Sequence, residues 1–214
     1  MMKRTILYFV IALFSLPCAA QNSANAKNIL DKTATQLRKN SNLRTTFIAE
    51  AYSGNSLKGK SEGTLYLKGN KFHIKTNGSF MWFDGKTQWT YIKENEEVNI
   101  NTPNKTELQQ INPYNFINIY NRGFNYKRLS DVNMRGQKCY VINLLAQNKK
   151  QSAQEIELTI EQSTYRLSRI KMRQGSKNWT VIYVTSYASG QKFNDAFFRF
   201  NSKDFPHAEV VDLR

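Results

Sequence analysis

Most of the chain alternates between apolar and polar residues with a period of two, the pattern of β-strands that bury one face. The alternation is sharpest in EIELTIE, where Ile156, Leu158 and Ile160 alternate with glutamates. Similar runs are RTTFIAEAY, SEGTLYLKGNKFHIKT, FNYKRL, KCYVINLLA, RLSRIKMR, WTVIYVTSY and AFFRF. The sequence therefore predicts a mainly β protein with an antiparallel sheet, apolar on one face.

Two dipeptides predict tight hairpins. Asp84-Gly85 lies inside FMWFDGKTQWTYIKENEEVNI, between two aromatic runs, and favours a type I′ turn with positive φ at both central residues. Gly69-Asn70 separates two alternating runs, in which His73 is predicted to point to solvent. Four apolar residues share the other face of that second hairpin: Leu65, Leu67, Phe72 and Ile74.

Two helices are predicted beside the strands. Residues 26–40 form an amphipathic helix with apolar residues near helical spacing. A second, short helix is predicted because Asn112 can cap its start, Pro113 suits the first helical position and Gly123 suits its end. Because two helices cannot cover so long a sheet, we expect the sheet to curl around its own apolar face and to leave room inside.

The N-terminus has the pattern of an export signal. Basic MMKR, apolar TILYFVIALFSL and small-residue PCAAQ predict a cleaved signal peptide over residues 1–20 and a single mature domain over 21–214. Cys18 leaves a lipoprotein anchor as an alternative. After cleavage Cys139 is the remaining cysteine, and it is predicted to be a small buried apolar residue.

Charge and motifs narrow the function. The net charge is +15, but an exported protein is not expected to bind nucleic acid. Anionic lipid headgroups, an acidic protein partner or a merely solubilising surface remain possible. The sequence has two histidines and no motif of a zinc site, a nucleophile elbow or a phosphate loop. We therefore expect no enzyme, no metal and no cofactor.

Aromatic residues are the positive signal, with 13 Phe, 11 Tyr and 3 Trp. Inside a curled sheet with little helical cover, they predict an apolar cavity. Burial of an acyl chain yields about 0.8 kcal/mol per methylene, so such a cavity would hold lipid. The alternative is a structural or adhesive β-domain whose aromatic residues are packed solid.

Two stretches carry a family resemblance. SNLRTTFIAEAYSGNSLKGKSEGTLYLKGNKFHIKT is followed by a D-G-K-T-x-W-x-Y core from Asp84 to Tyr91. The ending FFRFNSKDFPHAEVVDLR resembles the F-x-F…P…V-x-D ending of the same family at five positions: Phe198, Phe200, Pro206, Val211 and Asp212. From about Ala26 onward, the chain resembles the LolA family of periplasmic lipoprotein carriers.

The resemblance implies an incomplete, half-open barrel formed by a strongly bent antiparallel sheet, with a helical lid. It implies a periplasmic, monomeric carrier that takes lipoproteins by their acyl chains from an inner-membrane ABC transporter to an outer-membrane acceptor. Together, the matched positions and the strand pattern predict these cavity residues: Phe47, Leu65, Leu67, Phe72, Ile74, Met81, Trp89, Tyr91 and Tyr114.

One position departs from the family pattern. Gly69-Asn70 stands where well-known members carry Arg-Pro, whose arginine is thought to hold the lid closed. A latch of that kind is therefore not expected here, and Lys68 and Lys71 are the neighbouring candidates to replace it. The alternative function on this scaffold is sensing of lipoproteins, lipopolysaccharide or another amphiphile, for which we expect a second domain.

Overall fold

A computed structural model of the protein describes residues 18–40, 42–104, 107, 119–121, 123–148 and 151–214. Helix α1 spans Cys18–Lys39. The strands are β1 Asn42–Ser53, β2 Ser56–Lys68, β3 Lys71–Thr76, β4 Ser79–Phe83, β5 Gln88–Ile92, β6 Glu97–Asn101, β7 Phe124–Met134, β8 Gln137–Ala146, β9 Glu155–Glu161, β10 Leu167–Gln174, β11 Asn178–Ser189 and β12 Glu209–Asp212.

The 12 strands form a single sheet in the order β12-β6-β5-β4-β3-β2-β1-β11-β10-β9-β8-β7. Neighbouring strands are antiparallel except for β12, which pairs parallel to β6. The sheet is strongly curved but not closed, which confirms the predicted incomplete barrel. In the part of the chain that the structure describes, no helix is long and apolar enough to cross a membrane.

The two faces of the sheet follow from the strand register, because residues directly opposite each other on neighbouring strands share a face. On the concave face, α1 packs over β7–β10 through Ile29 and Leu30, in a cluster with Ile142, Leu144 and Ile156. The convex face of the same strands carries paired charges. There the Arg169 and Arg173 guanidiniums bind the carboxylates of Glu157 and Glu155. The glutamates of EIELTIE thus lie on the face opposite its isoleucines.

Most predicted elements are confirmed, and two differ in type or extent. Helix α1 begins at Cys18 rather than near Ala26. AFFRF, predicted as a strand, instead overlaps a 3₁₀ turn over Asp195–Phe198, because the Asn194 side chain accepts from the Phe197 N–H and caps it. The helix predicted from Asn112 lies mostly outside the described residues, which include a 3₁₀ turn over Ile119–Asn121.

The hairpin at Asp84-Gly85 is present, but the predicted type I′ turn was wrong. The loop has four residues, 84–87, between β4 and β5, and its positive φ lies at Gly85 (101°) but not at Asp84. Asp84 instead uses its carboxylate, which accepts from the backbone N–H groups of Lys86 and Thr87 at 3.0 and 2.9 Å. A side-chain acceptor therefore organises this turn in place of a left-handed Asp.

Candidate functional site

The centre of the concave face carries a strip of apolar side chains that are only half buried. Leu65 on β2 lies opposite Ile74 on β3, which in turn lies opposite Met81 on β4. All three are partly exposed. We call these residues, together with Phe47, the apolar strip.

The Phe47 ring can lie in the apolar strip because the residue opposite it on β2, Gly63, has no side chain. Gly63 lies directly opposite Phe47 on β2. A Cβ added at Gly63 would come within 2.5 Å of the Phe47 ring, so the ring lies over the bare backbone of β2. The absence of a side chain at Gly63 thus makes room for an aromatic ring on the concave face.

Solid packing flanks the strip at one end. Leu43, Leu67, Phe72 and Phe83 form a row across β1–β4, each exposing 2% or less of its surface. The rings of Phe72 and Phe83 stack with centroids 5.2 Å apart. Leu37, near the end of α1, packs against this cluster together with residues of the strip. The strip therefore continues a packed core into a part of the face where apolar surface is left open.

The predicted cavity residues separate into distinct groups. Six lie on the concave face: Phe47, Leu65, Leu67, Phe72, Ile74 and Met81. Of these, Leu67 and Phe72 are fully buried in the packed row, and the other four form the apolar strip. Tyr114 lies outside the described residues.

The placement of Trp89 and Tyr91 in the cavity was wrong. Trp89 lies opposite Trp82, and Tyr91 lies opposite Phe80, on the convex face. Their strand alternates, so the pair shares a face as expected, but it is the face turned away from Met81. The side chain of Phe205, from the C-terminal part of the chain, covers Tyr91, with ring centroids 4.6 Å apart, and Trp89 packs against the same cluster.

His73 is also not where alternation placed it. It exposes 3% of its surface and lies on the convex face among the rings of Tyr66, Trp82 and Phe197. Among the residues that the structure describes, neither ring nitrogen has a hydrogen-bond partner of good geometry. Burial, followed by the charge of Lys75, lowers the pKa of His73 from 6.5 to about 3, so the ring is neutral at physiological pH. The expected solvent face is covered because the C-terminal part of the chain folds over it.

The lysines beside Gly69-Asn70 hold the C-terminal part of the chain. Lys68 and Lys71 bind the Asp195 carboxylate at 3.0 and 2.8 Å, and Lys68 also donates to the Phe193 carbonyl. Hydrogen bonds from these lysines lower the pKa of Asp195 to about 2. Both ammonium groups therefore bind the C-terminal part of the chain on the convex side of β2 and β3.

Sequence reasoning missed a set of polar residues on the concave face. Gln88 and Thr90 alternate with Trp89 and Tyr91 on β5, so they face inward: Thr90 lies opposite Met81 of the apolar strip, and Gln88 lies opposite Phe83 of the packed row. The signal that could have found them was the same alternation, read for polar as well as aromatic residues.

The described residues contain no group of three or more His, Cys, Asp or Glu side chains able to hold a metal ion. Cys139 is buried with a free thiol, as predicted, and burial raises its pKa. Its environment disfavours the thiolate that a nucleophile requires.

Comparisons with known proteins agree with this geometry. The sequence profile of a family described as outer membrane lipoprotein carrier protein LolA matches residues 16–176. An uncharacterised protein of Methanocaldococcus jannaschii is 23% identical over 175 residues, which is 78% of this chain. The chain spans about half (49%) of the length of that curated relative.

Solved structures are also similar to this chain. An uncharacterised conserved protein from Thermus thermophilus superposes with a TM-score of 0.58 at 15% identity, covering 88% of this chain and 99% of that one. A LolA superfamily protein from Nitrosomonas europaea aligns with a TM-score of 0.45 at 13% identity, covering 82% of this chain and 97% of that one. At this identity, the Thermus likeness shows a common fold.

Proposed function

Since this chain belongs to the LolA family of outer membrane lipoprotein carrier proteins, we propose that its concave face binds the acyl chains of lipoproteins. The observation that supports this most directly is the apolar strip, whose side chains are partly exposed beside a fully packed core. An acyl chain laid on the strip would remove this apolar surface from water.

The energetics suit a carrier. Each buried methylene contributes about 0.8 kcal/mol, so a dozen methylenes supply about 10 kcal/mol before the costs of association. None of the four strip residues is charged, so a hydrocarbon chain desolvates no ion there.

The wider cycle is also a proposal. An exported, monomeric protein, with residues 1–20 removed, receives lipoprotein from an inner-membrane ABC transporter and passes it to an outer-membrane acceptor. Cargo moves in this direction if the acceptor binds acyl chains more tightly than the strip does, because only differential affinity shifts such an equilibrium.

A glutamate substituted into the apolar strip tests the proposed acyl-binding site. Ile74→Glu should weaken binding of a fluorescent fatty-acid probe at least about tenfold, because the carboxylate must be desolvated beside the acyl chain. Ile48→Glu is the matched control: Ile48 is also a half-buried strand isoleucine, but it lies on the convex face, opposite Glu62 and Tyr183.

Titration of probe fluorescence, with circular dichroism to verify folding, measures both variants. We expect wild-type affinity for Ile48→Glu. Equal affinities for Ile74→Glu and the wild type would contradict the proposed site.

A further inference from the structure

The apolar strip ends at uncharged polar side chains on the same concave face. Thr90 lies directly opposite Met81, and Gln88 lies directly opposite Phe83. Asparagines of β6 extend both pairs across the sheet. We define the polar row as Gln88, Thr90, Asn99 and Asn101. A ligand on the strip would therefore meet polar groups at the step from β4 to β5.

Gln88 carries unmet hydrogen-bonding capacity. Its side-chain Nε2 donates to Thr90 Oγ1 at 3.1 Å. Its Oε1 is buried and has no partner among the described residues, and Gln88 exposes only 9% of its surface. A buried acceptor without a donor destabilises a fold, so its presence calls for an explanation. A donor supplied by a ligand would satisfy it after a rotation of the Gln88 side chain, because the atom is buried in the free protein.

The absence of charge in the polar row favours a ligand with neutral polar groups. None of the four residues is ionised, and the carboxylate next to the row on β6 belongs to Glu97, which accepts from Asn99 Nδ2 at 2.5 Å. A carboxylate in this position repels a phosphate group. Neutral amide and ester groups, in contrast, match the donors and acceptors of Gln and Asn side chains.

We propose that the polar row binds the neutral junction of an acylated peptide, where ester and amide groups join the acyl chains to the first amino acid. An amide N–H of the ligand donates to Gln88 Oε1, and the Asn101 amide donates to a ligand carbonyl. This inference rests on the proposed acyl-binding function and adds selectivity to it. The row favours a lipopeptide over a free fatty acid or a phospholipid.

The test compares three ligands by displacement of a fluorescent fatty-acid probe: a synthetic diacylglyceryl-cysteine lipopeptide, palmitate and phosphatidylglycerol. Gln88→Met keeps the shape of the side chain and removes both polar atoms. It should weaken lipopeptide binding about threefold to tenfold, the worth of one buried neutral hydrogen bond. Binding of palmitate and phosphatidylglycerol should not change.

A stability measurement separates this role from a structural one. Gln88→Met removes the Nε2 hydrogen bond to Thr90 Oγ1 but also the buried acceptor Oε1 that has no donor, so the two effects oppose each other and the Tm should change little, although the residue is buried. Thr90→Val tests the row a second time and should also weaken lipopeptide binding selectively. Thr64→Val is its control, because Thr64 lies on the convex face opposite Lys75. This variant should bind all three ligands with wild-type affinity.

Several outcomes would overturn the inference. These are unchanged lipopeptide affinity in both row variants, an equal loss for palmitate, or an equal loss for phosphatidylglycerol. A wild-type protein that binds none of the three ligands would instead refute the acyl-binding function itself, so the two failures are distinguishable.

Discussion

At the scale of single residues, the side of the sheet on which a side chain lies decides its role. On β5, Gln88 and Thr90 face the concave side, whereas Trp89 and Tyr91 face the convex side. Trp89 and Tyr91, which were predicted to line the lipid cavity, are therefore part of a packed cluster on the other face. Because strands alternate with a period of two, neighbouring residues lie on opposite faces and contact different parts of the molecule.

His73 makes folding sensitive to acid. Its pKa is about 3 in the folded protein and near 6.5 when unfolded, so the unfolded chain takes up the proton first. Stability is therefore complete above pH 6.5 and is lost as pH falls towards 3. At pH 5 this residue should lower the free energy of unfolding by about 2 kcal/mol relative to pH 8.

His73→Phe, which keeps an aromatic ring in the cluster, should remove that loss. Urea unfolding of both proteins at pH 8 and pH 5 measures it. Parallel stability changes in the wild type and the variant would contradict the assignment.

At the scale of elements, the C-terminal segment, residues 193–214, covers the convex face of strands β2–β5. Asp84 in the β4–β5 turn binds Arg199 at 3.0 Å, and Trp82 packs edge-on against Phe200. The D-G-K-T-x-W-x-Y core and the C-terminal ending thus meet in space. The two stretches that carried the family resemblance form a structural contact, on the face opposite the apolar strip.

Phe205→Ala should therefore affect stability but not binding. The Phe205 ring contacts Phe80, Trp82 and Tyr91 with centroids within 5.9 Å. Its loss should lower the free energy of unfolding by about 2–3 kcal/mol, less than for a fully buried phenylalanine. Chemical denaturation measures the loss, and probe titration of the folded variant should give wild-type affinity. Weaker binding by the folded variant would argue against separate roles for the two faces.

At the scale of the whole molecule, α1 connects the two halves of the curved sheet. Near its start, the Asn22 side chain bonds both the backbone N–H and the carbonyl of Arg128 on edge strand β7. Midway, the Tyr120 hydroxyl donates to Asp31 at 2.5 Å. Towards its end, Leu37 packs against the cluster beside the apolar strip. The helix is thus anchored by hydrogen bonds at one half and rests on the candidate site at the other.

Leu37→Ala should speed ligand entry, because it removes an apolar contact at the end of α1 next to the strip and leaves the hydrogen-bonded half intact. Stopped-flow mixing with the fatty-acid probe should show a faster association rate than in the wild type. Leu57→Ala is the matched control, since Leu57 is 52% exposed on β2. Equal association rates for Leu37→Ala and the wild type would show that α1 does not limit entry.

The local pattern was enough to predict most of the strands, the Gly69-Asn70 turn, the main helix and the shared face of Phe72 and Ile74, whereas Met81 was added by the family resemblance. These features depend on residues close in sequence: alternation places a side chain on one face or the other, and turn residues set the hairpin. The apolar character of the site was therefore readable from the chain.

What only the tertiary structure decided is which of the two faces is covered, and by what. Alternation shows that Trp89 and Tyr91 share a face but not that residues more than 100 positions later fold over it, nor that His73 is buried beneath Phe197. The same holds for the buried Oε1 of Gln88. Burial depends on contacts between segments far apart in sequence, and a period of two carries no information about them.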